Sequence, residues 1–582
     1  MKLPVLYQGT ASAVPERDEP DGLQPLGSGQ GLKPSESALS AARLKPCPDT
    51  RRPTSEFGKR MRAGAILFLA AATLLAQPPE IRTGGVVNAA SRTPSILPGG
   101  AIARGALFDI EGIRLGTSAQ TTSVTVSARG SSLRVPLFAV SPQRIEGRLP
   151  VGAPLGDVAL TVTVNGVPGP PYALKVVRAN FGIFSRSQKG WGPGRVENQA
   201  ADGSRSGNGL RNSAQPGQPL ILSGTGLGPS RPEVWVGFRR ATVDAVRRGT
   251  GDGADEIVFR LPPDSPAGCY VPLQVRQPDA ASSNTVTVSI HAGGGACQPP
   301  PILPMAAWEG HSSGLVVISR TLRAPDSTIT DEGLAVFVAH ADQGPTLHPI
   351  LLIPPLGTCT AYTGAMAAGA QPSASAADAL MSSPHAAGRD AGPRLTVTRG
   401  NRRVLISPVH GAPGVYKRVL GEQRGERPGR GGPLFLEPGN LVVAGPGGAD
   451  IGAFAFQIPA PEPFVWENRD TIGAVDRRLG VTLRWLPLHE EGVMLIGLMS
   501  VDSSSAAWGA CYCVAAGASG SFTIPPAMLA NLPASQPAPT VPAPSLWVSY
   551  EPFHNQQPLH VSGLDNGLAI SLFMQTLEVQ VR

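Results

Sequence analysis

Cysteine carries the most definite chemistry in this chain. Of six cysteines, Cys47 stands in a Pro-rich N-terminal stretch, and Cys269, Cys297, Cys359, Cys511 and Cys513 follow. Thiolates ligate soft metals and thiol pairs form disulfides, and spacing helps to decide between the two. Cys511 and Cys513 are two apart, so on a strand they leave one face together and either could reach Cys359. A metal site would call for a second such pair or for histidines at ligand spacing, and the sequence offers neither. Disulfides are the better reading, from Cys269 to Cys297 and from Cys359 to Cys513 or its neighbour Cys511. Closing the first loop is worth about 3–4 kcal/mol on the chain-entropy view.

Other reactive residue types form no recognisable constellation. The sequence contains no Gly-x-Ser-x-Gly elbow, Walker loop, His-Glu-x-x-His or EF-hand loop. His489-Glu490-Glu491 lacks its second histidine, and neither His340 with His348 nor His554 with His560 has the i, i+4 spacing of a helical ligand pair. Asp252, Asp255 and Glu256 offer hard oxygen ligands but read as solvated acids in a turn. Gly224-Thr225-Gly226-Leu227-Gly228 follows a strand as a phosphate loop would. Pro229 and Pro232 come next, where a helix N-terminus would have to hold the phosphate. Trp235, Trp485 and Trp547 lie in strand-like runs and read as core. Trp191, in Lys-Gly-Trp-Gly-Pro-Gly, is expected to be exposed and free to stack on a ligand. No catalytic residue, cofactor or metal is therefore expected.

The elements that hold these residues are strands. The chain repeats at a spacing of 112 residues, with Gly112 falling on Gly224, Gly116 on Gly228, Arg148-Leu149-Pro150 on Arg260-Leu261-Pro262, and Gly156 on Gly268. That period suits one small β-sandwich and is too long for a solenoid unit. The four glycines from Gly112 to Gly228 read as turn positions. Val158, Leu160, Val162 and Val164 alternate with Ala159, Thr161 and Thr163 as a half-buried strand, and Asn165-Gly166 follows as a hairpin turn. Similar runs recur at Leu220–Leu222, Glu233–Val236, Glu256–Phe259, Tyr270–Val275 and Thr285–Val288. After Pro299-Pro300-Pro301 comes a β-rich region without the period. It carries runs such as Gly314–Ile318 and Leu334–Val338, and one short helix at Pro526–Leu532.

These runs predict an all-β chain of tandem sandwiches at 85–178 and 179–292, followed by a further β-rich region at 302–582. Low-complexity insertions at 367–393, 421–432 and 534–545 are expected to be disordered loops. Composition agrees, since 70 Gly and 60 Pro among 582 residues punctuate short strands, and 41% hydrophobic residues supply cores. The net charge of +7 is no nucleic-acid signal. Residues 1–62 hold ten Lys/Arg against seven Asp/Glu, leaving +4 for the rest. Residues 61–76, Met61 to Ala76, form a basic start and a short apolar core, the pattern of a secretory signal. Residues 1–60 then read as a disordered extension or a misplaced start. The apolar core is too short for a membrane span, so none is expected in the mature chain.

A resemblance follows from an ordered series of residues. Val87-Asn88-Ala89-Ala90-Ser91 leads through Pro98-Gly99 to Gly112. Ala179-Asn180-Phe181-Gly182-Ile183-Phe184 then leads through Asn198-Gln199, Asp202-Gly203-Ser204 and Pro216-Gly217 to Gly224. The series resembles the uncharacterised Solibacter-type C-terminal β-domain of exported bacterial proteins, whose halves are similar to IPT/TIG immunoglobulin-like domains. Ala179-Asn180-Phe181-Gly182 departs from the family's more frequent Pro-Gly-Ile-Phe. The resemblance implies export and immunoglobulin-like sandwiches, and it implies no chemistry. The expectation is a secreted, cell-surface or periplasmic non-enzymatic protein that binds, adheres or spaces, with a surface protein or a glycan as partner. A carbohydrate-binding module, with exposed aromatics on one face, is the first alternative. The second is a hydrolase within 302–582, which would need His, acid and Ser to converge.

Overall fold

The computed structural model describes residues 77–582 apart from 251–252, 279, 301, 303–311, 325, 341–351, 366–385, 426, 430–431, 489–490, 505–506 and 539–540. The expected extension 1–60 and signal segment 61–76 lie outside the described residues, as do Asp252, His489 and Glu490. Leu74–Arg582 forms one unit. It is built almost wholly of strands, and the helix expected at Pro526–Leu532 is the short turn Pro526–Leu529.

The period seen in the sequence is the period of the fold. Strands Leu107–Ile113 and Pro219–Thr225 occupy equivalent places, as do Gly156–Val164 and Gly268–Arg276, and each pair is offset by 112 residues at both ends. The first sandwich has one sheet ordered Glu80–Asn88, Leu107–Ile113, Arg144–Arg148, Leu137–Val140. Its facing sheet runs Ile102–Ala103, Tyr172–Val177, Gly156–Val164, Thr122–Ala128, Ser131–Arg134. Phe108, Ile110, Val124, Ile145, Leu160 and Val162 fill the space between them. The first strand starts at Glu80, five residues before the boundary expected at 85.

The second sandwich repeats this order with one change. In the first, Ser131–Arg134 and Leu137–Val140 belong to opposite sheets and part at Val135-Pro136, where proline has no N–H for a ladder. In the second, the single strand Arg239–Thr250 pairs with Glu233–Val236 and then with Ala254–Arg260, so one strand serves both sheets. The expected Asn165-Gly166 hairpin is present, with φ of 50° and 80° and Val164 opposite Val167.

The repeat glycines divide by role. Gly116 turns the chain at φ 95°. Gly112 and Gly224, expected in turns, lie instead within strands. A Cβ there would stand 2.1 Å from the Glu80 carbonyl oxygen and 2.2 Å from the Phe181 ring. Close approach of a neighbouring segment is therefore what these two positions require. Gly228 likewise has no positive φ, and an added Cβ there would lie 2.3 Å from Ala179 Cβ.

Beyond the linker, one large sheet dominates. Its order is Cys359–Ala365, Ala507–Ala516, Gly492–Val501, Ser545–Pro552, Asn566–Glu578, Ser312–Ala324, Thr328–His340, Val415–Arg424, Arg427–Pro428. Neighbours are antiparallel except Ser312–Ala324 with Asn566–Glu578, a parallel pair that joins the two ends of the region. Both faces of this sheet are covered. Leu315 and Val317 face one way, toward Trp191, Tyr270 and Tyr362, while Val316 and Ile318 face a smaller sheet containing Leu395–Arg399 and Asn440–Gly445. A third layer around Trp485, Leu483 and Met528 covers the other end of that second face. Strands covered on both sides read as unbroken apolar runs, as Gly314–Ile318 does.

Three segments expected to be disordered insertions take part in this framework. Residues 421–432 include the end of Val415–Arg424 and its partner Arg427–Pro428. There Gly421 pairs with Asp331, and buried Glu422 meets Arg424 Nε at 2.8 Å. Backbone pairing decided this segment against its charged, Gly-rich composition. Of 367–393, residues 367–385 lie outside the described residues, and Ala386–Gly388 pairs with Val338–His340. In 534–545, Ser535 bridges Val581 and Val541 is buried.

Trp191 is the clearest departure from expectation, at 8% exposure. Its ring meets Tyr362 edge to face at 6.0 Å, and it packs in the cluster that joins the second sandwich to the large sheet. An apolar sheet face needs a cover, and Trp191 supplies part of it. W191A is expected to lower unfolding stability by about 3 kcal/mol in urea titration. A change below about 0.5 kcal/mol would return Trp191 to the surface role.

Candidate functional site

The junction of the two sandwiches is built from the residues of the ordered sequence series. Asn88 Nδ2 donates to the carbonyls of Asn180 at 3.3 Å and Thr225 at 3.4 Å. Asn180 Nδ2 donates back to Gly99 at 2.7 Å and Ala101 at 2.5 Å. Leu107 N donates to Thr225 Oγ1 at 2.8 Å. Both asparagines are buried, so these bonds operate away from water and fix one sandwich upon the other.

Against this junction opens a cleft of about 500 Å³. One wall is the outer face of the sheet carrying Leu107–Ile113, which presents Asp109, Phe138, Arg144 and Glu146. The other is the segment after Ile183, with Phe184, Arg186, Gln188 and Arg195. That segment is held from within. Asn284 Nδ2 donates to the carbonyls of Ile183 at 2.9 Å and Gly190 at 2.7 Å, and Ser187 Oγ donates to Trp191 O at 2.6 Å. Trp191 anchors the far side of the same segment in the large sheet's cluster, so the wall is held from both directions.

Asp109 sets the electrostatics. Phe108 and Ile110 take the core side of their strand, which turns Asp109 and Glu111 outward. Asp109 is nevertheless only 1% exposed. Arg92 bridges Asp109 and Glu111, while Arg144 Nη2 lies 2.9 Å from Asp109 Oδ2 and 3.1 Å from Glu146 Oε1. Burial raises the Asp109 carboxyl above its ordinary range, against the pull of the two guanidiniums. Asp109 Oδ1 and Arg144 Nε are buried with no hydrogen-bond partner. Beside them Phe138 stands 60% exposed. The cleft thus offers an open aromatic face beside the half-exposed charged groups of Arg144 and Glu146, with Asp109 sealed behind them.

The other predicted residues lie elsewhere. Cys269 is bonded to Cys297 and Cys359 to Cys513, while buried Cys511 keeps its thiol 3.9 Å from Cys513 Sγ. The three sulfurs of Cys359, Cys511 and Cys513 lie within 4.8 Å of one another, buried under the third layer and away from the cleft. Of the acids considered for calcium, Asp255 and Glu256 have other partners. Asp255 accepts from Leu227 N at 2.9 Å and Gly249 N at 3.2 Å, and Glu256 pairs with Arg205 and Arg247. In 302–582, His554 Nε2 lies 3.4 Å from Glu462 Oε1 at the surface. Sequence reasoning missed Asp109, Phe138 and Arg144. An acid at the centre of an apolar strand and a lone phenylalanine are weak signals until the fold brings them together.

Two immunoglobulin-like sandwiches in rigid tandem, with a cleft at their junction and a large sheet behind, define an architecture of the multi-domain β type. No protein-family model matches the chain, and no curated protein does. Solved structures of tandem β-domain proteins are distantly similar. One is SGBP-B of the Bacteroides ovatus mixed-linkage glucan utilization locus, in complex with a mixed-linkage heptasaccharide. It shares 14% identity over 35% of this chain and 47% of that one, at TM-score 0.20. A surface glycan-binding protein of Prevotella bryantii shares 11% identity over 36% of this chain and 41% of its own, at TM-score 0.14. A tetra-tandem repeat from the extending region of a large adhesion protein shares 11% over 82% of this chain and 96% of its own, at TM-score 0.13. The match spans less than half the length of the Bacteroides ovatus and Prevotella bryantii proteins. At these scores the likeness carries no argument about what the cleft holds. Among the described residues no helix is long and apolar enough to cross a membrane.

Proposed function

We propose that the chain is an exported, non-enzymatic binding protein of the cell surface or its surroundings, and that the junction cleft takes a glycan. The finer kinship, with the Solibacter-type β-domain family, belongs to the same proposal. The observation that carries it is the pairing of exposed Phe138 with the half-exposed Arg144 and Glu146 in one preformed cleft. A sugar ring offers a C–H face for an aromatic and hydroxyls for planar carboxylate and guanidinium groups. A site at a domain junction that needs no ordering on binding also avoids part of the entropic cost. Mixed charge in the cleft argues against a polyanion such as nucleic acid, which calls for a basic surface. Two disulfides fit an oxidising compartment.

Glycan-array screening followed by calorimetry tests this reading. F138A is expected to weaken the best glycan by about tenfold or more, in keeping with a stacked aromatic anchor. Its melting temperature should stay within about 2 °C of the parent, because an exposed side chain contributes little to stability. An array without hits, from protein that is folded, would sink the proposal. So would a hit that F138A binds unchanged.

A further inference from the structure

A second cavity, of about 670 Å³, lies where all three parts of the chain meet. Pro98 comes from the first sandwich, Arg276 and Ser282 from the second, and Arg477, Arg478, Ala527 and Arg582 from the C-terminal region. Its lining holds four arginines and no Asp or Glu side chain. The seam beneath it is fixed, since Asn531 Nδ2 donates to the carbonyls of Ser282 at 3.0 Å and Ser283 at 3.2 Å.

Four guanidiniums stand against the Asp476 carboxylate that pairs with Arg478, so an excess of positive charge remains at the site. Arg276 lies 4.4 Å above the Trp235 ring, and its Nε is buried without a hydrogen-bond partner. Arg477 donates to Leu532 O at 2.6 Å and to Arg582 O at 2.9 Å, which fix its position at the cavity. Burial lowers the pKa of both Arg276 and Arg477, a cost that an anion beside them would relieve. The nearest acids are already engaged: Asp476 by Arg478 at 3.0 Å and Glu233 by Arg240 at 2.7 Å.

We propose that this cavity is a binding site for a carboxylate-bearing saccharide, distinct from the junction cleft. Planar guanidiniums match a carboxylate in a two-point fork. The volume is far larger than a lone inorganic ion needs and suits a body the size of a sugar. Pro98, Pro526, Ala527 and Ala530 supply apolar walls for the C–H surface of such a body. A ligand seated here touches all three parts of the chain at once and holds their seam together.

Calorimetry on the full chain tests the site with three probes: trigalacturonate, neutral galactotriose and citrate. Trigalacturonate is expected to bind, with affinity falling as sodium chloride is raised, and galactotriose is expected not to bind. R276Q and R478Q should each weaken trigalacturonate by about tenfold or more. Arg478 is 88% exposed, so R478Q should melt with the parent and keep the test readable even if R276Q fails to fold. F138A should leave this binding unchanged, which separates failure here from failure of the junction cleft. Equal binding of galactotriose, or citrate binding without trigalacturonate, would overturn the proposal. So would parental affinity in folded R478Q, or no heat from either anion.

Discussion

Replacing Glu551 by Gln is expected to leave stability unchanged near pH 4 and to raise it by up to about 5 kcal/mol at pH 9. Glu551 lies on strand Ser545–Pro552 at 1% exposure, and burial lifts its carboxyl from 4.5 to about 8. Its Oε2 has no partner, while Oε1 accepts from Ser549 Oγ at 2.7 Å. Ser549 also donates to Phe573 O at 3.2 Å, yet a hydroxyl has one hydrogen. A neutral Glu551 resolves this, because its own proton can go to Ser549 Oγ and free the serine for the carbonyl. Between pH 4.5 and about 8 the folded chain therefore keeps a proton that the unfolded chain has released. The unfolded state then binds fewer protons, so stability falls as pH rises through that window and levels off above it. The shift of some 3.5 units, 4.5 to about 8, at ~1.4 kcal/mol per unit sets the upper bound. Urea titrations of both proteins across this pH range should give curves that diverge with rising pH. Parallel curves would mean that Glu551 ionises in place.

How far the fold could be read from the residues is decided by where each residue's partners lie. Gly156 and Gly268 open equivalent strands, and the period between them was legible because each sandwich closes upon itself through local pairings. Val158 to Val164 announced its strand because one face meets a core and the other meets water. The large sheet was legible only as apolar runs. Nothing in Gly314–Ile318 says that Asn566–Glu578, some 250 residues away, is its parallel neighbour. Trp191 was misread for the same reason. Its flanking glycines suggested an open loop, whereas its partner Tyr362 lies in another part of the chain. Residues 421–432 carried the composition of a solvated loop, yet their strand partners Asp331 and Thr330 draw them into the sheet.

The junction shows a subtler limit. Asn88 and Asn180 stood out in the sequence as members of an ordered series, and the series supported a family likeness and nothing more. Their physical task is the exchange of hydrogen bonds between two sandwiches, by residues 92 apart along the chain. That task needs both domains folded and docked before it can be seen. Asp109 and Phe138 are a stronger case, since no local pattern marks either one and only the fold brings them to one cleft.

The second large effect concerns the disulfide between Cys359 and Cys513. Removing it as C359A/C513A is expected to cost about 4–5 kcal/mol, because it closes a loop of 154 residues. The residues it links face each other on strands Cys359–Ala365 and Ala507–Ala516, and Cys359–Ala365 ends the order of the large sheet. Without the bond, that strand is kept in place by its ladder and by packing under Trp485 and Met528. Hydrogen exchange should therefore show Cys359–Ala365 opening first, with the sandwich strands Leu107–Ile113 and Pro219–Thr225 unchanged. C511A supplies the control. Its thiol is buried and pushed well above the ordinary range by desolvation, so it is a weak nucleophile toward the neighbouring bond. It should leave the Cys359–Cys513 pairing intact and cost about 1 kcal/mol or less, the loss of one small buried group. If C359A/C513A unfolds at the same urea concentration as the parent, the bond is not constraining the unfolded chain. If C511A instead proves as damaging, the thiol has a partner role in that cluster, and the stability of this end of the sheet rests on three sulfurs instead of two.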